Sequence, residues 1–276
     1  MTFNNLPPLF SGALSIIIAA IFFAVMLTIQ KRWSEIKTFS VYKDIFLATF
    51  FLGMIYYGLL FIGIQKTTAG NTSIIMLMEI FFAMVILRLW QKEKLTKNRI
   101  IGAILMVIGA LVILLQNATL NMNSGNLIIL IAMIFPPFGN YYMQKARKKV
   151  SSTFIMFFRS LLSGLFLMIM ALLLEPIPSV DLISKSSIFI LINGLLLLGF
   201  SKIFWIEGLH RIPITKAVSF IAIDPALTLI FAYFILKEVP TSWQILGFIP
   251  IFIGVMFVTD FKLMKKNSLD KNLKLS

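Results

Sequence analysis

Cysteine is absent from this chain, and histidine occurs once, at His210. Disulfide frameworks have no material to be built from, and Cys/His zinc sites and Cys- or His-based nucleophile–base sets are excluded or left with a single histidine to rest on. Charge is scarce as well: 13% of the residues are charged and only 11 are acidic, while 59% are hydrophobic. A soluble domain sits nearer half apolar and a quarter charged. A globular core of 276 residues could not hide this much apolar surface from water, whereas a bilayer can. A phosphate-binding loop of the GxxxxGK[ST] type is missing too, which argues against ATP-driven work by this chain alone.

What the sequence does contain is long apolar runs. A membrane-spanning helix needs roughly 20 mainly apolar residues. Nine segments meet that length closely: 9–30, 44–64, 71–90, 99–116, 125–145, 152–174, 186–208, 214–236 and 242–260. They are continuously apolar rather than alternating, so they read as helices and not as barrel strands. The loops between them are short and leave no room for an inserted soluble domain. Met1–Pro8 carries no Lys or Arg, and the run after it is too long for a signal-peptide core, so it reads as a retained span.

The loops alternate between two sides. One side holds 20 of the 25 Lys and Arg; the other holds Lys66, Lys185 and Lys237, and Arg159 and Lys202 fall inside spans. By the positive-inside rule the rich side is cytoplasmic, the N-terminus outside and the C-terminus inside. The net charge of +14 is then a topology signal and does not point to nucleic acid. Trp33, Trp90, Trp205 and Trp243 fall at expected interfaces, where indole is common.

Residues 63–115 recur at 208–260 with an offset of 145 and no gap. Gly63 pairs with Gly208, Glu79 with Asp224, Lys92-Glu93 with Lys237-Glu238, Gly102 with Gly247 and Gly109 with Gly254. Segment 71–90 runs from outside to inside and its partner 214–236 the other way, so the two copies are inverted. Inverted repeats allow two related conformations, one open to each side, which is the basis of alternating access. The organisation read from this is a first unit at 1–116 with four helices, a linker at 117–124, a second unit at 125–261 with five helices, and a basic cytoplasmic tail at 262–276. Segment 125–145 has no partner in the first unit.

These features together resemble the drug/metabolite transporter superfamily, specifically its EamA-type members. The resemblance rests on Asp224-Pro225-Ala226 through Leu236-Lys237-Glu238, on the weaker Glu79-Ile80-Phe81 through Lys92-Glu93, on the glycine-rich helices after each Glu, and on Arg159 early in its helix. It covers essentially the whole chain and implies an all-α membrane protein of two inverted helical repeats. The chain departs from the ten-helix pattern in lacking a counterpart of its first helix, which in the family helps line the central cavity.

Ionisable side chains within a bilayer cost about 2.5–3.5 kcal/mol each on insertion scales. At about 1.5 Å rise per residue, Arg159 and Lys202 lie roughly 10 Å in from the cytoplasmic ends of their helices. They can line a cavity and bind an anionic group of the substrate, pair with Asp224, or snorkel to the interface. Glu79 and Asp224 are candidate proton-coupling carboxylates, because a desolvated acid can titrate near neutrality; the alternative is a helix-start carboxylate or a partner for the basic residues. Pro136-Pro137 should kink segment 125–145 and either present Asn140 or Tyr141 to substrate or merely improve packing. Glu93 and Glu238 read as caps or ion-pair partners, and the glycines Gly102, Gly109, Gly247 and Gly254 as packing.

The function expected is secondary transport of a small metabolite such as an amino acid or organic anion, with export the direction the resemblance implies. The protein would be multi-pass in the plasma membrane (the inner membrane if bacterial), without cofactor or metal, and proton coupling and a homodimer are both open to it. The alternative is a non-transporting membrane protein, either an inactive remnant or a partner or regulatory subunit. A membrane-embedded enzyme ranks last, because no nucleophile–base or metal set stands out.

Overall fold

A computed structural model describes residues 6–91, 96–114, 123–211 and 224–258. Among these the secondary structure is helical, with no strand. Glu93, most of the 117–124 linker and the 262–276 tail lie outside the described residues.

The helices are α1 (Pro8–Ile29), α2 (Phe39–Ile64), α3 (Ala69–Met76 and Met78–Gln91), α4 (Lys97–Leu114), α5 (Ser124–Ala132 and Pro136–Arg147), α6 (Ser152–Leu174), α7 (Val180–Arg211), α8 (Asp224–Phe231 continued by Ala232–Leu236) and α9 (Ser242–Val258). Six of them, α1, α2, α3, α5, α6 and α7, are long and apolar enough to cross a membrane, and two shorter apolar helices, Leu227–Leu236 and Ser242–Val258, accompany them. The chain is thus a multi-pass membrane protein, all-helical among the described residues.

Side-chain caps start six of these helices where the sequence supplies a short polar residue, α4 and α9 among them: Thr96 Oγ1 accepts from Arg99 N and Thr241 Oγ1 from Gln244 N. Thr68 Oγ1 accepts from Asn71 N, Asn123 Oδ1 from Gly125 N, Ser151 Oγ from Phe154 N and Ser179 Oγ from Leu182 N. The Ser179 cap, with Asp181 in the first turn, begins α7 six residues before its apolar run. The helix α1 has no cap of its own. Glu175, just past the end of α6, supplies one: its carboxylate accepts from Leu9 N and Phe10 N, both at 2.9 Å, and from Gln65 Nε2.

Two helix pairs make the tightest packing. α4 crosses α9 with glycine against backbone: a Cβ on Gly102 would strike the carbonyl of Gly254, and one on Gly109 the carbonyl of Gly247. α1 lies along α6, where Gly164 meets Ile17 and where Leu9, Phe23, Leu27, Leu167 and Ala171 are buried. Without a hydrophobic drive between helices in lipid, such close approach of small residues supplies the packing energy.

α2 and α7 each widen into a π-helical stretch, at Thr49–Tyr56 and Asn193–Phe200. The two stretches fall within one residue of positions related by the offset of 145. Gly53 in the first lies against Ser163 of α6, and Gly194 in the second against the Ser15 carbonyl of α1.

Candidate functional site

Two broken helices meet near the centre of the bundle. α3 is interrupted at Leu77, where Leu77 N and Ile80 N donate to the carbonyls of Ile74 and Leu77, three residues back. The break puts Glu79 in the first turn of the segment Met78–Gln91, at the positive end of its peptide dipoles. α5 is interrupted at Met133–Phe135, immediately before Pro136-Pro137. A proline has no N–H to give the preceding turn, so the chain tightens there and Phe135 N donates to the Ala132 carbonyl. Asn140 follows one turn later and faces Glu79.

Glu79 is buried, at 7% exposure, and accepts a hydrogen bond from Asn140 Nδ2 at 3.1 Å. Trp205 of α7 donates its indole N–H to Asn140 Oδ1 at 3.3 Å. An indole nitrogen can only donate, so it orients the amide and leaves the NH2 for the carboxyl group. Three helices are thus joined through one asparagine. Trp205 is half-buried and reaches inward here, although its sequence position suggested an interfacial ring; the acceptor on α5 supplies the reason.

Arg159 is 6% exposed on α6, and its Nε has no hydrogen-bond partner. Its guanidinium carbon lies 6.0 Å from the centre of the Tyr57 ring. Ser163 Oγ donates to the Arg159 carbonyl, within the same helix. Lys202 is half-buried on α7, and its charge acts electrostatically on Glu79, Tyr57 and Asp224. Among the described residues neither Arg159 nor Lys202 forms an ion pair. Asp224 is exposed, and Tyr141 packs half-buried against the core.

The structure therefore gathers Glu79, Asn140, Arg159 and Lys202 in one neighbourhood. Sequence reasoning missed Trp205 as a member, and it missed Tyr57 and its buried neighbour Tyr56. The signal for the tyrosines was available: two adjacent polar-tipped rings in the middle of an otherwise apolar span. A buried guanidinium without a carboxylate partner is costly in this setting, and an anionic ligand group would complete it.

A cavity of about 950 Å³ opens at the end of the bundle opposite the basic loops. It lies among the ends of α1, α2, α6 and α8 and the first two turns of α3, with Gln65, Thr72, Ser73, Glu175 and Glu238 supplying polar walls. Met76, one residue short of the α3 break, lies on its lining.

The description "EamA-like transporter family" matches residues 1–115 and 123–260. The chain is 25% identical over 259 residues to the uncharacterized transporter YoaV of Bacillus subtilis (strain 168), covering 93% of this chain and 88% of that one. It is 24% identical over 254 residues to the uncharacterized transporter YyaM of the same organism, covering 84% of this chain and 79% of that one. A solved structure described only as the crystal structure of a protein superposes with a TM-score of 0.70 at 14% identity, covering 94% of this chain and 90% of the other. At that identity the likeness is one of fold alone.

Proposed function

This chain belongs to the EamA-like transporter family, and from that premise we propose that it is a secondary transporter that exports a small metabolite such as an amino acid or organic anion across the plasma membrane. The observation that carries the substrate reading is Arg159: a buried guanidinium, unpaired at Nε, beside the ring of Tyr57, whose hydroxyl group Lys202 and Glu79 also influence. Arg159 would hold a carboxylate or phosphate and Lys202 would add a point charge. Asn140 and Tyr141, presented by the second half of α5, would contribute polar contacts. Glu79 and Asp224 would serve as proton-coupling groups.

The mechanism proposed is alternating access of two inverted units, with nine spans, the N-terminus outside and the C-terminus inside. Three observations support it. The glycine contacts between α4 and α9 map onto themselves when the offset of 145 is applied, the π-helical stretches of α2 and α7 stand within one residue of corresponding positions, and the family match falls in two stretches, 1–115 and 123–260. The family also supports a non-enzymatic role.

The test is export from whole cells loaded with a panel of amino acids and organic acids. The expected result is one specific efflux above an empty vector, lost in Arg159→Ala/Lys202→Ala at equal membrane levels. No efflux for any compound from well-inserted protein would move the reading to a non-transporting membrane partner.

A further inference from the structure

At the basic end of the bundle the last turn of α5 is held from two sides. Lys145 Nζ lies 3.0 Å from Asp44 Oδ1 on α2, and Asp44 is buried. Arg147 grips α7 with both arms of its fork: Nε donates to Glu207 Oε1 at 2.9 Å and Nη2 to Oε2 at 3.1 Å. Gln144 Nε2 adds a bond of 2.6 Å to the Leu209 carbonyl. Beneath these contacts Ile45, Met143, Ala146, Ile206 and Leu209 are at most 1% exposed, so among the described residues α2, α5 and α7 are packed closed at the basic end. The far end of the same bundle holds the cavity of about 950 Å³.

The arrangement is one-sided. Applying the offset of 145 takes Asp44 to Phe189 and Glu207 to Ile62, and neither can receive a cation. Two conformations related by exchanging inverted units would lie close in energy, so interactions present at one end only decide which is populated. Three of the four groups are suited to parting: Lys145 is half-exposed and Arg147 and Glu207 are each about one-quarter exposed, so water can take over their hydrogen bonds, while the buried Asp44 gains water only as α2 and α5 separate.

The geometry points to an ion-pair gate at the basic end, in which Asp44–Lys145 and Arg147–Glu207 hold the bundle open to the far side and must separate before Arg159 can be reached from the basic side. The gate rests on the transport reading above. It also assigns α5 a mechanical role: one short helix end couples the closing of α2 to that of α7.

The absence of cysteine makes the test direct, because one introduced cysteine is the only thiol. Met143→Cys reports on the closed end, one turn inside Arg147, and Thr72→Cys reports on the cavity. Each is labelled with a water-soluble maleimide in purified, reconstituted protein. Adding Asp44→Asn and Glu207→Gln should speed labelling at Met143→Cys by about tenfold and slow it at Thr72→Cys by a similar factor. The charge swap Arg147→Glu/Glu207→Arg should return both rates toward the parent values. Unchanged rates overturn the gate, and so does faster labelling at both positions, which is general loosening. If the double neutralisation fails to give monodisperse protein, Glu207→Gln alone is read by the same criteria. Failure of cellular efflux would sink the transport reading without touching this labelling result, and unchanged labelling would sink the gate without touching efflux.

Discussion

Arg159 is the residue on which most of the chemistry turns. Its position inside a span was visible in the sequence, because an arginine among apolar neighbours stands out by cost alone. Its surroundings were not visible: Tyr57 comes from about 100 residues earlier in the chain, and a ring contact over that separation leaves no local pattern. The same holds for Glu79, whose hydrogen bond depends on an amide in α5 and an indole in α7. Arg159→Ala should cut efflux at least about tenfold, the scale expected when one partner of a buried charged contact is removed, with membrane levels unchanged on immunoblots; Arg159→Lys should restore part of it, as charge without the fork. If Asp224 carries the coupling proton, Asp224→Asn should flatten the pH dependence of efflux through the neutral range. A variant that keeps the parent pH profile would return Asp224 to a structural role.

The helices themselves were the easiest elements to anticipate, since in lipid every backbone group must be satisfied within the segment and long apolar runs have no other option. Their interruptions divide into two kinds. The break in α5 was announced by Pro136-Pro137, whereas the break at Leu77 in α3 has no Pro or Gly beside it. The π-helical stretches Thr49–Tyr56 and Asn193–Phe200 were likewise silent, because they answer to close packing against α6 and α1 and not to local propensity. Pro136→Ala should heal the α5 break and lower efflux at unchanged insertion; undiminished efflux would make the break a packing feature. Glycines offer a sharper contrast. Gly102→Ala places a Cβ against the Gly254 carbonyl and should cost about 1–3 kcal/mol. Gly58→Ala meets nothing within 4 Å and should stabilise its helix by about 0.5–1 kcal/mol. Thermal melts in detergent distinguish the two, and equal shifts would contradict the packing account.

Across the whole molecule, charge and repetition are the broadest patterns in the sequence. The uneven distribution of Lys and Arg separates the two ends of the bundle, and contacts such as Glu35 Oε2 with Ser151 at one end and Glu175 with Gln65 at the other hold to that division. The orientation in the membrane follows from it as an expected outcome: a single cysteine at Lys148 should label only from the cytoplasm and one at Lys185 only from outside, in intact cells against lysed ones. What the sequence did not disclose is the cap that Glu175 places on α1 from the far end of α6, a contact that only folding brings about. The glycine crossing of α4 and α9 carries a last consequence. Gly102 meets Gly254 and Gly109 meets Gly247, so exchanging the two sides returns the same set of contacts, as happens where identical chains pair about a two-fold axis. A seam of that kind needs no covalent bridge. Severed within residues 115–122 and made as two polypeptides, the halves should still find each other in the bilayer and co-purify, much as an antiparallel homodimer does.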